Sequence, residues 1–368
     1  MRVLQVCHRF PPHPGGVEYH VQRLSKFLSS RGHDVVVLTT SRERVGVCEE
    51  DGYTVIRLRS SLEPLRNPIP FSLPLISRRI VRDFDAIHMH SVYTFTTLLT
   101  YPFADKSRVV ITLHGRAFYT GIASILAELH ERISFRIVRE AAAFIALNEA
   151  DRRVIITRGI DHERVFVIPN FVDVEEVDGI LRRSEPVDRE GEVQLIFVGG
   201  LVEAKNLESL LTDLRSVETD VSLWVVGEGP LRKRLARLAR GMKVRFLGRL
   251  RREDWVPYAM SSDAFILPSR SEGFPTVVLE AMAMGKPVIL SNIEVHRELF
   301  SGNALFYEPS VRGSLNRALA KLKSEELGEM LRNNRKLVEE LYDIRVVGRR
   351  ILDLYKEVIG ELASSRDS

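Results

Sequence analysis

Apolar residues along this chain follow two rhythms that alternate: short unbroken aliphatic runs, and stretches in which they recur every three or four positions. RVLQVCH (2–8) and DVVVLTT (34–40) are of the first kind, and between them Val17, Val21, Leu24, Phe27 and Leu28 share one face of a helix. The alternation continues through GYTVIRL, LPLISRRIVRDF, DAIHMH, a helical stretch near 93–104, RVVITLH (108–114), a long helix near 121–140 and AAFIALN. Strands that are aliphatic on both faces and separated by helices predict parallel sheets covered on both sides.

Residues 170–192, NFVDVEEVDGILRRSEPVDREGE, break the rhythm with charge, and it then restarts in VQLIFVGG, VSLWVVGEG, KVRFLG, DAFILPS and PVIL, with helices between. The expected organisation is a Rossmann-like domain over 1–170, a linker at 171–192, a second Rossmann-like domain over 193–340, and a closing segment, 341–368. In that last segment Val346, Val347, Ile351, Leu354, Tyr355 and Val358 form an apolar stripe expected to pack back on the first domain. The fold class is therefore α/β, with two doubly wound domains facing across a cleft, and ligands are expected at the carboxyl ends of the strands.

Composition narrows the function only a little. Apolar residues are 45% and charged residues 28% of 368, an ordinary globular balance, and 53 basic against 49 acidic residues leave a formal net charge of +4. That excess does not point to nucleic acid, and it suits an acidic ligand or an anionic membrane surface equally. Cys7 and Cys48 form neither a CxxC nor a Cys/His cluster, so a disulfide framework and a zinc site are not expected. No apolar run approaches the length of a membrane span, and Met1-Arg2 leads straight into a strand pattern, so a cytosolic protein is expected.

Candidate chemistry gathers where strands turn into helices. In HPGGVEY, Gly15 and Gly16 offer no capping side chain, so the first N–H groups of the following helix are expected to face an anion such as phosphate. A tight glycine turn is the simpler alternative. SEGFPTVVLE (271–280) repeats the device: Pro275 suits a first helical position, and the N–H groups of Phe274, Thr276 and Val277 are candidates for a second anion contact. Lys205, in the short loop after VQLIFVGG, can neutralise a diphosphate, or it can simply be solvated. His114 ends VVITLH before Gly115 and can bond a hydroxyl or act on a proton; His8, His13, His88 and His90 compete, His90 most closely. Glu272 precedes the helix that carries Glu280, so the two carboxylates are spaced to grip two parts of one ligand instead of forming an acid/base pair. GEGPLR (227–232) is only the start of a GxGxxG, weak as a dinucleotide site.

Taken in series, these segments resemble the retaining GT-B glycosyltransferases of the family 4, group 1 type. SEGFPTVVLEAMAMGKPVI is similar to the family's donor-binding signature and PPHPGGVEYHVQRLSKFLSSRGHDVVVLT to its amino-terminal glycine motif, with ITLHG, IPNFVD, FVGGLVEAKNL, WVVGEGPLR and VRFLGRL in the family's order. The resemblance implies a nucleotide-diphosphate sugar held mainly by the second domain and an acceptor on the first. It gives Glu280 the ribose hydroxyls, Glu272 the transferred sugar, the groups around Gly273, Phe274, Pro275 and Thr276 the phosphate and sugar, and Lys205 the diphosphate. Gly227, Glu228 and Leu247 join the donor side, Gly15 and Gly16 approach the diphosphate from the first domain, and His114 meets the sugar near its reacting face. Glu272, His114 and Lys205 are thus the implied catalytic set, with no cofactor and no required metal.

Two departures stand out: Gly200 where the family usually has arginine, and Phe171 in Pro169-Asn170-Phe171 where it often has glycine. The expected function is transfer of a hexose, of mannose or glucose type with GDP-mannose or a UDP-sugar as donor, to an acceptor sugar, lipid or other small molecule. Base selection is expected near Phe246 to Arg249. Peripheral contact with the cytoplasmic membrane face is suggested by Arg78, Arg79 and Arg82 on a possible amphipathic helix. The alternatives are a nucleotide-sugar epimerase, which releases product without an acceptor, and a noncatalytic donor-binding subunit of a membrane complex.

Overall fold

The computed structural model describes residues 1–13, 15–60, 62–64, 67–115, 122–324 and 326–366. The chain divides into two compact units, one of Met1–Phe171 with Ile344–Ser368 and the other of Val172–Asp343.

Among the described residues, the first unit builds an eight-stranded sheet from β1 (Arg2–Val6), β2 (Asp34–Ser41), β3 (Gly46–Glu50), β4 (Tyr53–Arg59), β5 (Ala86–His90), β6 (Val109–Leu113), β7 (Ala143–Ala146) and β8 (Val165–Val167). Its order is β3-β4-β2-β1-β5-β6-β7-β8, parallel except for β3, which pairs antiparallel with β4 at the edge. Helices α1 (Gly16–Ser30), α2 (Leu73–Ile80), α3 (Phe95–Thr100), α4 (Ile122–Val138) and α5 (Glu149–Thr157) occupy the crossovers. The long helix expected from 121 thus begins at Ile122, residue 121 lying outside the described residues.

Alternate residues of each strand feed different cores, which is why the runs are aliphatic throughout. Val3, Val35, Val37 and Val55 pack toward α1, while Leu4, Val36, Leu38, Ile87 and Ile111 pack with Phe135 and Val138 of α4.

The second unit carries β9 (Val193–Val198), β10 (Val221–Val226), β11 (Val244–Gly248), β12 (Ala264–Leu267), β13 (Val288–Ser291) and β14 (Leu305–Tyr307), in the order β11-β10-β9-β12-β13-β14. All pairings are parallel. Its helices are α6 (Val174–Leu181), α7 (Leu207–Leu214), α8 (Arg232–Leu238), α9 (Arg252–Ser261), α10 (Thr276–Ala283), α11 (Glu294–Phe300), α12 (Ser314–Ala320) and α13 (Glu326–Leu337). Both sheets are doubly wound, with strand order reversing between β1 and β5 in one and between β9 and β12 in the other. Such a reversal opens a crevice at the strands' carboxyl ends.

The stretch expected as a linker differs from that expectation. Residues from Val172 on belong to the second unit, where Val174, Val177 and Ile180 bury one face of α6 against α9 and α10. Asp173 accepts a hydrogen bond from the Glu176 amide at 2.9 Å, an N-cap that the surrounding charges concealed. The closing helix, α14 (Ile344–Arg366), lies in the first unit and packs on α1. Contact is close there: a Cβ on Gly348 would stand 2.7 Å from the Phe27 ring.

Candidate active site

The reversal between β9 and β12 places two loops side by side in the second unit. After β9 the chain runs through Gly199 and Gly200 to a single turn, Glu203–Lys205, and Asn206 then takes a left-handed conformation (φ 53°) to open α7. After β12 the Arg270 amide donates to the Ala204 carbonyl at 2.8 Å, tying the second loop to the first. Lys205 Nζ consequently meets Glu272 Oε1 at 2.6 Å, with the carboxylate side chain only 9% exposed. Ser269 Oγ donates to the same oxygen, and Ser291 Oγ fixes the loop by donating to the Ser269 carbonyl at 2.6 Å. An ammonium and a carboxylate are thereby held at the mouth of the sheet, each able to exchange its partner for a ligand: anionic oxygens for the ammonium, hydroxyls for the carboxylate.

Glu280 lies elsewhere. It is buried on α10 and paired with Arg252 of α9, whose guanidinium also donates to Glu176 at 2.8 Å. The two glutamates therefore answer two different cations. Arg252 escaped the sequence reading because nothing in RRED (251–254) distinguishes the residue that turns inward.

The start of α10 differs from expectation in two ways. Pro275 precedes the helix (φ −80°, ψ 83°) instead of opening it, and the Thr276 amide, expected to face an anion, donates to the Phe274 carbonyl at 3.0 Å. Phe274 turns its ring inward, edge-on to Tyr342, and Gly273 sits in the loop just before it. The glycines after β10 are explained by a close approach of backbones. A Cβ on Gly227, where φ is 137°, would stand 1.9 Å from the Gly199 carbonyl oxygen, and one on Gly229 would stand 2.4 Å from that of Leu201. Between them the Glu228 carbonyl accepts from the Leu201 amide at 3.0 Å. Leu247 is half-buried in β11, beside Phe246, over whose ring the Arg232 guanidinium lies at 4.2 Å.

In the first unit, the start of α1 corrects an expectation. Gly15 and Gly16 do open the helix without a side-chain cap, but the buried carboxylate of Glu18 curls back over Gly15, so that a Cβ there would fall 2.0 Å from Glu18 Oε2. Glu18 Oε1 lies 3.3 Å from His13 Nδ1 and 3.9 Å from His8 Nε2. Burial pushes this carboxyl upward, but the bond from His13 and the charge of His8 outweigh it and hold it below the usual range. The helix end expected to receive a ligand's anion faces the protein's own. Pro14 lies outside the described residues.

His114 follows β6 and belongs to a buried polar chain. Its Nε2 bonds His90 Nδ1 at 2.9 Å; His90 Nε2 bonds Gln5 Oε1 at 2.7 Å; Gln5 Nε2 bonds the Tyr355 hydroxyl at 3.1 Å. The hydroxyl also meets His88 Nδ1 at 2.6 Å, and His88 Nε2 meets Thr112 Oγ1 at 2.6 Å. His20 of α1 sets its ring edge-on to His114, with centroids 4.8 Å apart. Burial, then neighbouring histidines, hold His114 and His90 well below 6.5, and burial first takes His20 and His88 down to about 3, so these imidazoles are neutral. Gln5, His20 and Tyr355 went unremarked as chemistry because each sits on an apolar periodic face and meets the others only through the fold. Among the described residues, His20, His90 and His114 are the one group with metal-ligand spacing, their nitrogens within 4.8 Å, although two of these nitrogens bond each other.

The residues picked from sequence thus fall into two sets. Gly15, Gly16 and His114 lie in the first unit; Lys205, Gly227, Glu228, Leu247, Glu272, Gly273, Phe274, Pro275, Thr276 and Glu280 lie in the second.

Residues 14–176 match the family model described as Glycosyltransferase Family 4, and residues 181–338 match that of Glycosyl transferases group 1. A Homo sapiens component of phosphatidylinositol N-acetylglucosaminyltransferase is 26% identical over 389 residues, covering 99% of this chain and 78% of that protein. The phosphatidyl-myo-inositol mannosyltransferase of Mycobacterium tuberculosis is 26% identical over 394 residues, with 98% of each covered. Among solved structures, sucrose-phosphate synthase from Thermosynechococcus elongatus superposes with a TM-score of 0.79 at 18% identity, over 98% of this chain and 99% of that one. Anabaena HepE in complex with UDP-glucose does so with a TM-score of 0.73 at 18% identity, over 99% and 100%. These likenesses show a shared fold, two Rossmann-like units of the GT-B kind.

Proposed function

This chain belongs to glycosyltransferase family 4, the group 1 glycosyl transferases, and from that membership we propose that it moves a hexose from a nucleotide-diphosphate sugar to an acceptor hydroxyl with retention of anomeric configuration. The bond from the sugar's anomeric carbon to the diphosphate oxygen breaks, and one from the same carbon to the acceptor oxygen forms on the same face. The departing phosphate carries away the electron pair and takes up the acceptor's proton. A mannose- or glucose-type sugar is favoured, with GDP-mannose ahead of the UDP-sugars, because whole-length relatives include a mannosyltransferase.

The observation that carries this reading is the Lys205–Glu272 pair at the strand reversal of the second sheet. In the proposed complex Lys205 turns to the diphosphate and stabilises charge growing on the leaving group, while Glu272 accepts from the sugar's hydroxyls. Glu280, oriented by Arg252, accepts from the ribose. His114 bonds the transferred sugar, and in this reading the Lys205 ammonium supplies the positive charge at the diphosphate without a required divalent metal. Lys205→Ala and Glu272→Ala are expected to lower kcat roughly 10²- to 10³-fold without unfolding the protein. Wild-type turnover by either folded variant would overturn the assignment. A thermal-shift panel of GDP-, UDP- and ADP-sugars identifies the donor, since only a ligand of the folded state raises its melting point, and product masses separate transfer from epimerisation.

The acceptor is proposed to be presented at a membrane surface, on the cytoplasmic side. No helix among the described residues is long and apolar enough to cross a membrane. Yet Ile125, Leu126, Leu129, Ile133 and Ile137 of α4 are 43% to 69% exposed, with exposed Arg132 and Arg136 between them. Exposed Phe71 and Leu75 lie with Arg78, Arg79 and Arg82 at and just beyond α2. Apolar side chains interleaved with arginine suit an anionic bilayer.

A further inference from the structure

The buried chain from His114 to Thr112 has a property that follows from counting its protons. An amide oxygen only accepts, so Gln5 Oε1 requires the hydrogen of the His90 contact to sit on His90 Nε2. A neutral imidazole carries one ring hydrogen, so His90 Nδ1 is bare and takes its bond from His114 Nε2–H. His114 is left with Nδ1 bare, on a side chain that is only partly buried. On the other side Gln5 Nε2–H donates to the Tyr355 oxygen, which also meets His88 Nδ1, and His88 Nε2 meets the Thr112 hydroxyl. From Gln5 Oε1 through His90 to His114 each bond fixes the next. Turning the Gln5 amide over reverses these bonds and puts a hydrogen on His114 Nδ1.

We propose that Gln5, through the Oε1 it turns to His90, is a positioning residue that sets the tautomer of His114 and so makes its remaining ring nitrogen a hydrogen-bond acceptor. The chemical consequence is a choice of ligand group. A bare Nδ1 receives a sugar hydroxyl's hydrogen, whereas a protonated Nδ1 would bond hydroxyl or phosphate oxygens and favour a different pose. Gln5 and Tyr355 are both fully buried, and the inner ends of the chain, Gln5, His90, His88 and Thr112, lie on the adjacent strands β1, β5 and β6. Tyr355 comes from α14, more than three hundred residues along the chain from Gln5. The catalytic part of this inference rests on the proposed contact between His114 and the sugar; the tautomer itself does not.

Two measurements separate those parts. In the wild-type protein labelled with ¹⁵N-histidine, two-bond proton–nitrogen correlations at neutral pH are expected to show His114 and His90 each carrying its hydrogen on Nε2. A hydrogen on His114 Nδ1, or a mixture, overturns the proposal. So does tight stoichiometric Zn²⁺ binding that disappears in His20→Ala, because the metal would claim the very nitrogens that bond each other. In Gln5→Leu both His114 tautomers are expected, with kcat reduced about five- to tenfold, the worth of one hydrogen bond, and the donor KM unchanged. Unchanged kcat with altered tautomers removes the role in catalysis while leaving sugar transfer standing. A wild-type protein inactive with every nucleotide sugar overturns the transfer reaction but leaves the tautomer assignment intact.

Discussion

Lys205 and Glu272 stand 67 positions apart in sequence yet share a 2.6 Å contact, and each stood out in the sequence on its own. A lysine just after a strand glycine and a glutamate before a Pro-marked helix start are local signals. Their meeting requires only that β9 and β12 be neighbours, as a doubly wound sheet makes them. Glu18 and Arg252 were not legible, because which way an exposed-looking charge turns is decided by packing. Gly200 allows a test of how far the charge at Lys205 suffices. A Cβ at Gly200 would meet nothing within 4 Å, and its backbone is not in the left-handed region, so arginine fits without strain. Gly199, its neighbour, lies against the Lys205 side chain. Gly200→Arg is expected to bind nucleotide-diphosphate sugar about tenfold more tightly, since a second charge-assisted donor reaches the phosphates. Calorimetry showing an unchanged Kd would mean that the diphosphate lies out of reach of this loop.

Among the elements, the long strands and α1 were plain from periodicity, whereas α6 was hidden inside a run of charges and β3 inside a short polar alternation at the sheet edge. Short edge strands bury little, so they leave little pattern. Helix α4 shows the opposite problem. Its buried face, with Ser134, Phe135 and Val138, is matched by an outward face nearly as apolar, and periodicity alone does not say which one meets the core. The outward face supplies a prediction of its own. Each of its aliphatic side chains contributes ~1 kcal/mol on entering a bilayer interface, and each arginine ~1 kcal/mol near anionic lipid. The protein is expected to float with phosphatidylglycerol vesicles and much less with phosphatidylcholine ones. The double variant Leu129→Glu, Ile133→Glu should stay at the bottom of the gradient while its turnover of a soluble acceptor is unchanged. Equal flotation of variant and wild type would rule this face out as the docking surface.

For the molecule as a whole, the buried histidines couple its stability to pH. His20, His88 and His90 are neutral when folded, with His20 and His88 held down to about 3 chiefly by burial, and all three regain an ordinary value near 6.5 when the chain unfolds. Below pH 6.5 the unfolded chain therefore binds protons that the folded protein does not, and stability falls with pH. The expected loss is about 1 kcal/mol per histidine for each unit below 6.5, read as a falling urea midpoint between pH 7.5 and 5.5. A midpoint that holds steady over that range would mean that these imidazoles are already charged in the native state. The overall division of the chain was visible as a change of rhythm near residue 170, but the return of α14 could be read only as a stripe that needed a partner, since periodicity names a face and not what covers it. That return also sets an order of events during synthesis. The first unit to leave the ribosome is the last to be finished: its sheet is made by residue 167, but α14 and the Tyr355 hydroxyl arrive only after all of Val172–Asp343 has been translated. Until then Phe27 of α1 lacks the cover that Gly348 of α14 gives it, so the younger unit has the opportunity to close first while the older one waits in need of protection from aggregation.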